Sequence, residues 1–446
     1  MGRIELPLCE PQSHVLPLNY NRHAKLNLKR YKNLSITEKE FKHTFIIYLM
    51  GILLRKEKDV MTFTGIAKLA IIGFIVAFSS AFIDTIWALY LNSFVNSVAL
   101  VGFLSAFLAA ISFISYFIFT PLIEKINKPR LYVFCLVMFA IGYLLLSINK
   151  NFYFFILIAF LLTILSTLRV TSFGIIIKDK TQKQLSRNEG IMYTFFNLAW
   201  VLGPLIAGYI SDAFGISLIF VLSAIFLLVA TAFFIVSQIK DNRVVKKPNK
   251  NLLKNFLEFF KDKKRVLTYI VSGGVSMWWV LIYLFMPIQI INNGLHALWV
   301  GYFLFAVAIP LVLFEFTFSK LAAKIGFKKI FMLGFAIAGL CSLVCFFVSN
   351  IYFIMGLLIL ASVGMAMLEP TTEAYFFDLT RDKDEQRFYG PYNTCTDVNQ
   401  FTGKILASTI LIFLSFKFVF LLFALLMGIF VIFSSRIKEI IEQKKR

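Results

Sequence analysis

Thr120-Pro121-Leu122-Ile123-Glu124-Lys125-Ile126-Asn127-Lys128-Pro129-Arg130 and Ser319-Lys320-Leu321-Ala322-Ala323-Lys324-Ile325-Gly326-Phe327-Lys328-Lys329 stand 199 residues apart, and each joins one long apolar stretch to the next. A second set of matches lies 200 apart: Arg187, Gly190, Thr194 and Gly203 recur as Arg387, Gly390, Thr394 and Gly403. Two independent matches at nearly the same offset indicate an internal duplication.

What is duplicated follows from composition. Hydrophobic residues make up 59% of the 446 positions, Phe alone 52 of them, and only 15% are charged. A chain of this length with so little polar surface has lipid, not water, as its main solvent. A bilayer-spanning helix needs about 20 mainly apolar residues. Twelve such segments occur, at approximately 65–91, 97–119, 130–148, 152–177, 188–211, 215–238, 266–290, 298–319, 329–348, 351–376, 388–414 and 417–436. They are long and show no period-two alternation, so helices are expected and barrel strands are not. The expected fold is an all-α membrane protein of twelve transmembrane helices in two pseudo-symmetric six-helix bundles.

Charge orients this bundle. The loops at 124–130, 178–187, 239–265, 320–329 and 379–387, with the tail from Arg436, hold nearly all Lys and Arg of the spanning region. The intervening turns hold Lys150 and Lys417. Positive residues stay on the cytoplasmic side, which puts both termini there and makes the span count even. The net charge of +21 is thus a topology signal in a cell-membrane protein. It is scattered over membrane-flanking loops without a compact basic face, so no nucleic-acid partner is expected.

The chain divides into a polar N-terminal segment (1–61), a first bundle (62–239), a cytoplasmic linker (240–265), a second bundle (266–437) and a tail (438–446). Gly2-Arg3-Ile4-Glu5-Leu6-Pro7, with Val15 to Arg22 after it, looks like a tRNA gene translated from its opposite strand. On that reading Met61 is the initiator; a basic cytoplasmic arm is the competing reading. Within the linker, Leu252, Leu253, Phe256, Phe259 and Phe260 could make a short helix on the anionic inner leaflet. A solvated tether fits equally well.

Charges inside spans are costly and are functional candidates by default. Asp84 lies in span one, with Ser80 and Trp87 one turn away on the same face. Arg169 in span four and Glu369 in span ten fall at matching positions of the 200-residue repeat, and Glu373 follows one turn after Glu369 with Pro370 between them. Asp84 is the candidate proton carrier, and Arg169 with Glu369 and Glu373 the candidate cavity gate. Trp278, Trp279 and Tyr283 in span seven, with Trp87, are candidates for the substrate cavity, although an aromatic stripe in so Phe-rich a chain also serves packing. Asp397, Gln400 and Lys404 form a polar stripe in span eleven. Cys9, Cys135, Cys341, Cys345 and Cys395 show no metal spacing. No phosphate-cradling Gly-x-x-x-x-Gly-Lys motif is present, so no cofactor, metal or internal ATP engine is expected.

Two halves of six spans, a long central loop and a basic turn after the second span of each half resemble the major facilitator superfamily over residues 62–436. The family's turn, Gly-x-Leu-x-Asp-Arg-x-Gly-Arg-Arg, is matched by Leu122, Glu124, Lys125 and Lys128 in the first copy, where Thr120 and Asn127 replace glycine. Leu321, Lys324 and Gly326 match in the second, where Ala323 replaces the acid. The resemblance implies a conformational latch at Glu124, Lys125, Lys128, Lys324 and Gly326, and a cavity lined by spans one, four, seven and ten. Gly203-Pro204 with Gly208 in span five is similar to the Gly-Pro-x-x-Gly-Gly motif of the proton-coupled drug exporters, with Ala207 for one glycine. Glycine and proline there would bend the helix or let it pack tightly.

These readings imply a monomeric secondary transporter moving a small solute by alternating access, driven by protons, with export of drug-like compounds as first choice. Metabolite or sugar uptake or exchange is the alternative. A polytopic enzyme would need a catalytic cluster near one interface, and no such motif appears; a scaffold would need a closed centre.

Overall fold

The computed structural model describes residues 60–123, 126–181, 185–239, 252–380 and 382–441, and the described residues are helical with no strand among them. The readings of the N-terminal segment before residue 60 fall outside these residues. Spans one to six are Val60–Val95, Val98–Ile123, Lys128–Ile148, Phe152–Thr181, Leu185–Phe214 and Ile216–Val236. Span seven runs through Lys263–Val280, a π-helical turn at Leu281–Phe285, and Met286–Asn292. Spans eight to twelve are Ala297–Ile325, Phe327–Phe347, Ile351–Leu379, Asp382–Phe413 and Lys417–Arg436. Eleven of these are long and apolar enough to cross a membrane. Span eleven is as long as the others but carries Asp397, Asn399, Gln400 and Lys404, the polar stripe expected from the sequence.

Local chemistry sets the helix starts. Asn127 accepts from the Arg130 amide at 3.0 Å and precedes Pro129, which opens span three with a ring that needs no donor. Asn350 caps span ten through the amides of Tyr352 and Phe353, and Asp262 caps span seven through that of Lys264. Gly326 turns the chain between spans eight and nine at φ 97°, a conformation that disfavours side chains and explains glycine at this place in the turn.

The packing repeats between the halves. In the first half span one packs on five and six, three on four and six, and two on four; in the second, seven packs on eleven, nine on ten and twelve, and eight on ten. The halves meet along two seams, span five on eight and span two on eleven, which the pseudo-symmetry exchanges. Large apolar residues such as Ile118, Leu157, Leu313, Phe316 and Leu340 are exposed around the outside. In water such a belt would drive association, and against acyl chains it is the matched surface.

At the five–eight seam, a Cβ on Gly208 would lie 2.6 Å from the Gly301 Cα, and one on Gly301 would lie 2.6 Å from the Pro204 carbonyl oxygen. The backbones touch there because neither residue has a side chain. Gly203 packs on the methyl group of Ala81 in span one, where a Cβ would come within 2.5 Å of it. Pro204 sits inside the helix beside these close contacts.

The linker helix, Leu252–Phe260, does more than tether or coat a surface. Phe259 is fully buried with Tyr269, Phe376, Phe388 and Tyr392 of the second half, while Phe256 meets the Phe117 ring of span two edge-on at 5.2 Å. Arg387 of span eleven donates to Asn255 at 2.8 Å and pairs with Glu258. Arg265 donates to the carbonyls of Glu258 and Phe259 at the end of this helix. The linker is thereby fastened to one half and touches the other.

Candidate functional site

Ionisable groups inside the spans fall into three places. In the first half, Arg169 is only 2% exposed, with Nη1 3.5 Å from Ser80 Oγ of span one and its guanidinium 4.7 Å over the Phe139 ring of span three. Asp84, also buried, and Arg169 both lie within electrostatic reach of the Tyr143 hydroxyl. Arg169 therefore belongs to the interior between spans one, three and four. The Arg169–Glu369 gate pair, expected for the state closed to the cytoplasm, is not formed among the described residues. The physical reason is local: an aromatic face and a hydroxyl hold the guanidinium inside its own half.

The second place is a cavity, partly open to the outside, where spans five, seven, eight and ten converge. Trp279 and Tyr283 of span seven line it, with Trp200 and Asn197 of span five, Glu315 of span eight and Glu369 of span ten. The Trp279 indole N–H donates to Glu369 Oε1 at 3.1 Å. Tyr283 stands between two indoles, 6.2 Å from Trp200 and 5.6 Å from Trp279, so three rings form one wall. Tyr283 lies in the π-helical turn, four residues before Pro287, whose ring cannot supply the amide that a regular helix would offer the Tyr283 carbonyl. The wider turn absorbs this defect and re-aims the neighbouring side chains, as such turns commonly do at functional sites.

The third place is the polar interior of spans ten and eleven. Glu373 lies near the Tyr389 hydroxyl, and the Lys404 ammonium donates to Gln400 Oε1 at 3.4 Å. Glu373, Asp397, Gln400 and Lys404 are all buried.

Four aromatic residues were expected around the substrate, and two of them line this cavity. Trp87 instead packs against Tyr90 and Phe155 in the first half. Trp278 is fully buried and meets Phe423 of span twelve edge-on. Glu315 is absent from the residues singled out in the sequence, although an acid in the middle of span eight carries the same signal as Asp84.

Of the latch residues, Glu124 and Lys125 lie outside the described residues, and Lys128 opens span three. In the second copy Lys324 lies in the last turn of span eight, ahead of Gly326. The C-terminal segment closes over that turn: the Phe327 amide reaches the Ile440 carbonyl at 3.4 Å, and the Tyr375 hydroxyl donates to the Lys438 carbonyl at 3.0 Å. A Cβ on Gly326 would collide with the Glu439 carboxylate, so an acid from the tail approaches the turn whose own acid is replaced by Ala323.

No curated protein matches the chain. Among solved structures, a POT family transporter in complex with a thioalcohol-conjugated peptide superposes with TM-score 0.70 and 12% identity, covering 83% of this chain and 94% of its own. A POT family transporter in complex with 5-aminolevulinic acid gives the same values. A variant of the nucleoside transporter NupG gives TM-score 0.69 and 13% identity, covering 83% of this chain and 98% of its own. At such identities the likeness concerns the fold. The family model of the Major Facilitator Superfamily matches residues 69–309 and 270–444, nearly the whole described chain. With twelve long helices among the described residues, in two equivalent sets of six, and a cavity on the seam between them, the chain belongs to the Major Facilitator Superfamily and is a multi-pass membrane transporter.

Proposed function

We propose that this protein is a proton-coupled secondary transporter that exports small drug-like or hydrophobic compounds by alternating access, with both termini and the basic loops in the cytoplasm. The observation that carries the reading is the cavity on the five–eight seam, where three aromatic side chains face carboxylates from two different spans. A site between rigid halves is exposed to one side or the other as they rock. Aromatic walls suit an apolar solute.

Asp84 is the proton carrier in this scheme, buried in span one with Arg169 nearby. While ionised it holds the guanidinium in the first half; once protonated it loosens that hold, and Arg169 becomes able to reach Glu369 in the opposite state. The gate pair and the coupling group would then be one device, and Glu373 would back Glu369 on the same helix. The turns carrying Glu124, Lys125, Lys128, Lys324 and Gly326 would latch the halves at the cytoplasmic face. The transporter is read as a monomer.

Uptake or exchange of a metabolite is the second reading, supported by the peptide and nucleoside transporters among the similar folds. The deciding experiment is transport by purified protein in proteoliposomes against a panel of drug-like compounds, peptides and nucleosides, with and without an imposed pH gradient. Gradient-dependent movement of drug-like compounds supports the first reading. Movement confined to peptides or nucleosides supports the second, and no movement of any solute would sink both.

A further inference from the structure

We propose that the cavity of Glu315 and Glu369 is a recognition site for an organic cation: an amine or quaternary ammonium compound with an aromatic or apolar body and a hydrogen-bond acceptor. The inference rests on the transporter reading and names its substrate class.

Charge is the first reason. Glu315 and Glu369 come from different spans and line one cavity, and among its lining residues there is no Lys, Arg or His. Two carboxylates in one poorly solvated space repel each other when both are ionised, and a cation placed between them relieves the repulsion. An anionic solute would find no counter-charge there. The wall is the second reason. Trp200, Tyr283 and Trp279 form a continuous aromatic surface, and the negative faces of such rings attract ammonium groups and stack against planar bodies. The Trp279 N–H fixes the Glu369 carboxylate beside that wall.

A third observation is independent of the acids. Trp200 lines the same cavity, is only 6% exposed, and its indole N–H makes no hydrogen bond among the described residues. A buried donor is costly unless something accepts from it. A carbonyl, ether or ester oxygen on the solute would do so. Glu315 thus supplies charge recognition, the rings supply the surface, and Trp200 selects an acceptor.

The test is equilibrium binding of radiolabelled tetraphenylphosphonium and of rhodamine 6G to the purified full chain in detergent. The second is a planar cation with an ester acceptor; the first has no acceptor. Both are expected to bind saturably and to compete. Glu315→Gln should weaken both by about tenfold or more, the usual size for a charged partner lost from a buried contact, and Glu315→Asp should restore most of the binding. Trp200→Phe should weaken rhodamine 6G about three- to tenfold more than it weakens tetraphenylphosphonium. Unaltered binding of both cations to Glu315→Gln, or no saturable binding to the parent protein, would overturn the assignment. If that happens while proteoliposomes still move another solute, the transporter reading stands without it. If the cations bind with this Glu315 dependence and no solute is moved, the transporter reading falls and the cation site stands.

Discussion

The indole N–H of Trp279 donates to Glu369 Oε1 at 3.1 Å, tying span seven to span ten at the edge of the cavity. Hydrogen bonds to charged groups contribute about 1.5–3 kcal/mol, and the ring also forms part of the wall. Trp279→Phe keeps a ring and removes the donor. It should lower solute affinity about tenfold with little change in thermal stability in detergent, since Glu369 can still turn toward other partners near the cavity. Equal affinities of variant and parent, measured by binding, would show that the bond only packs the two helices.

Asp84→Asn should abolish transport driven by a pH gradient while leaving solute binding and counterflow measurable. The variant keeps the size of the side chain and removes its proton exchange. Retained gradient-driven accumulation would take Asp84 out of the mechanism.

Removing Arg169 should be severe. Loss of one partner from a buried charge pair commonly costs about 3–5 kcal/mol, because the other charge is left without compensation. Arg169→Gln should therefore lower the unfolding temperature clearly. The double variant Arg169→Gln/Asp84→Asn should recover part of the loss, since the stranded carboxylate is gone. A thermal-shift double-mutant cycle reads this coupling, and simple additivity of the two changes would mean that the residues do not interact.

Arg387→Ala frees the linker helix from Asn255 and Glu258. The ion pair is partly exposed, so screening keeps the expected loss near about 1 kcal/mol. Amide exchange over 252–260 should quicken, whereas exchange within the spans should stay as it was. Unchanged exchange in the linker would mean that Phe259 and Arg265 suffice to anchor it.

The twelve spans and their repeat were legible because long apolar runs and loop charges are one-dimensional signals. Facing was harder to read. Arg169 lies 17 residues into span four and Glu369 18 residues into span ten, so the repeat predicted their depth well. Depth says nothing about rotation: a helix turns about 100° per residue, and the matched pair points into different interiors. Trp278 and Trp279 illustrate the same limit, since adjacent residues went to the core and to the cavity. The π-helical turn at 281–285 had one sequence cue, Pro287, and the contact of Gly208 with Gly301 had none, because it joins two halves remote in the chain.

The seams related by pseudo-symmetry are mechanically unequal. At Gly208 and Gly301 main chain touches main chain, which cannot yield, whereas at Gly102 the nearest atoms belong to the side chains of Ser408 and Phe285, which can rotate away. A rocking motion between two such contacts pivots on the stiff one and sweeps a larger arc at the pliable one. If the halves rock as proposed, their axis lies off-centre, displaced toward spans five and eight. A solute held beside Glu315 and Trp200 sits close to the fulcrum, where the walls shift least during the stroke.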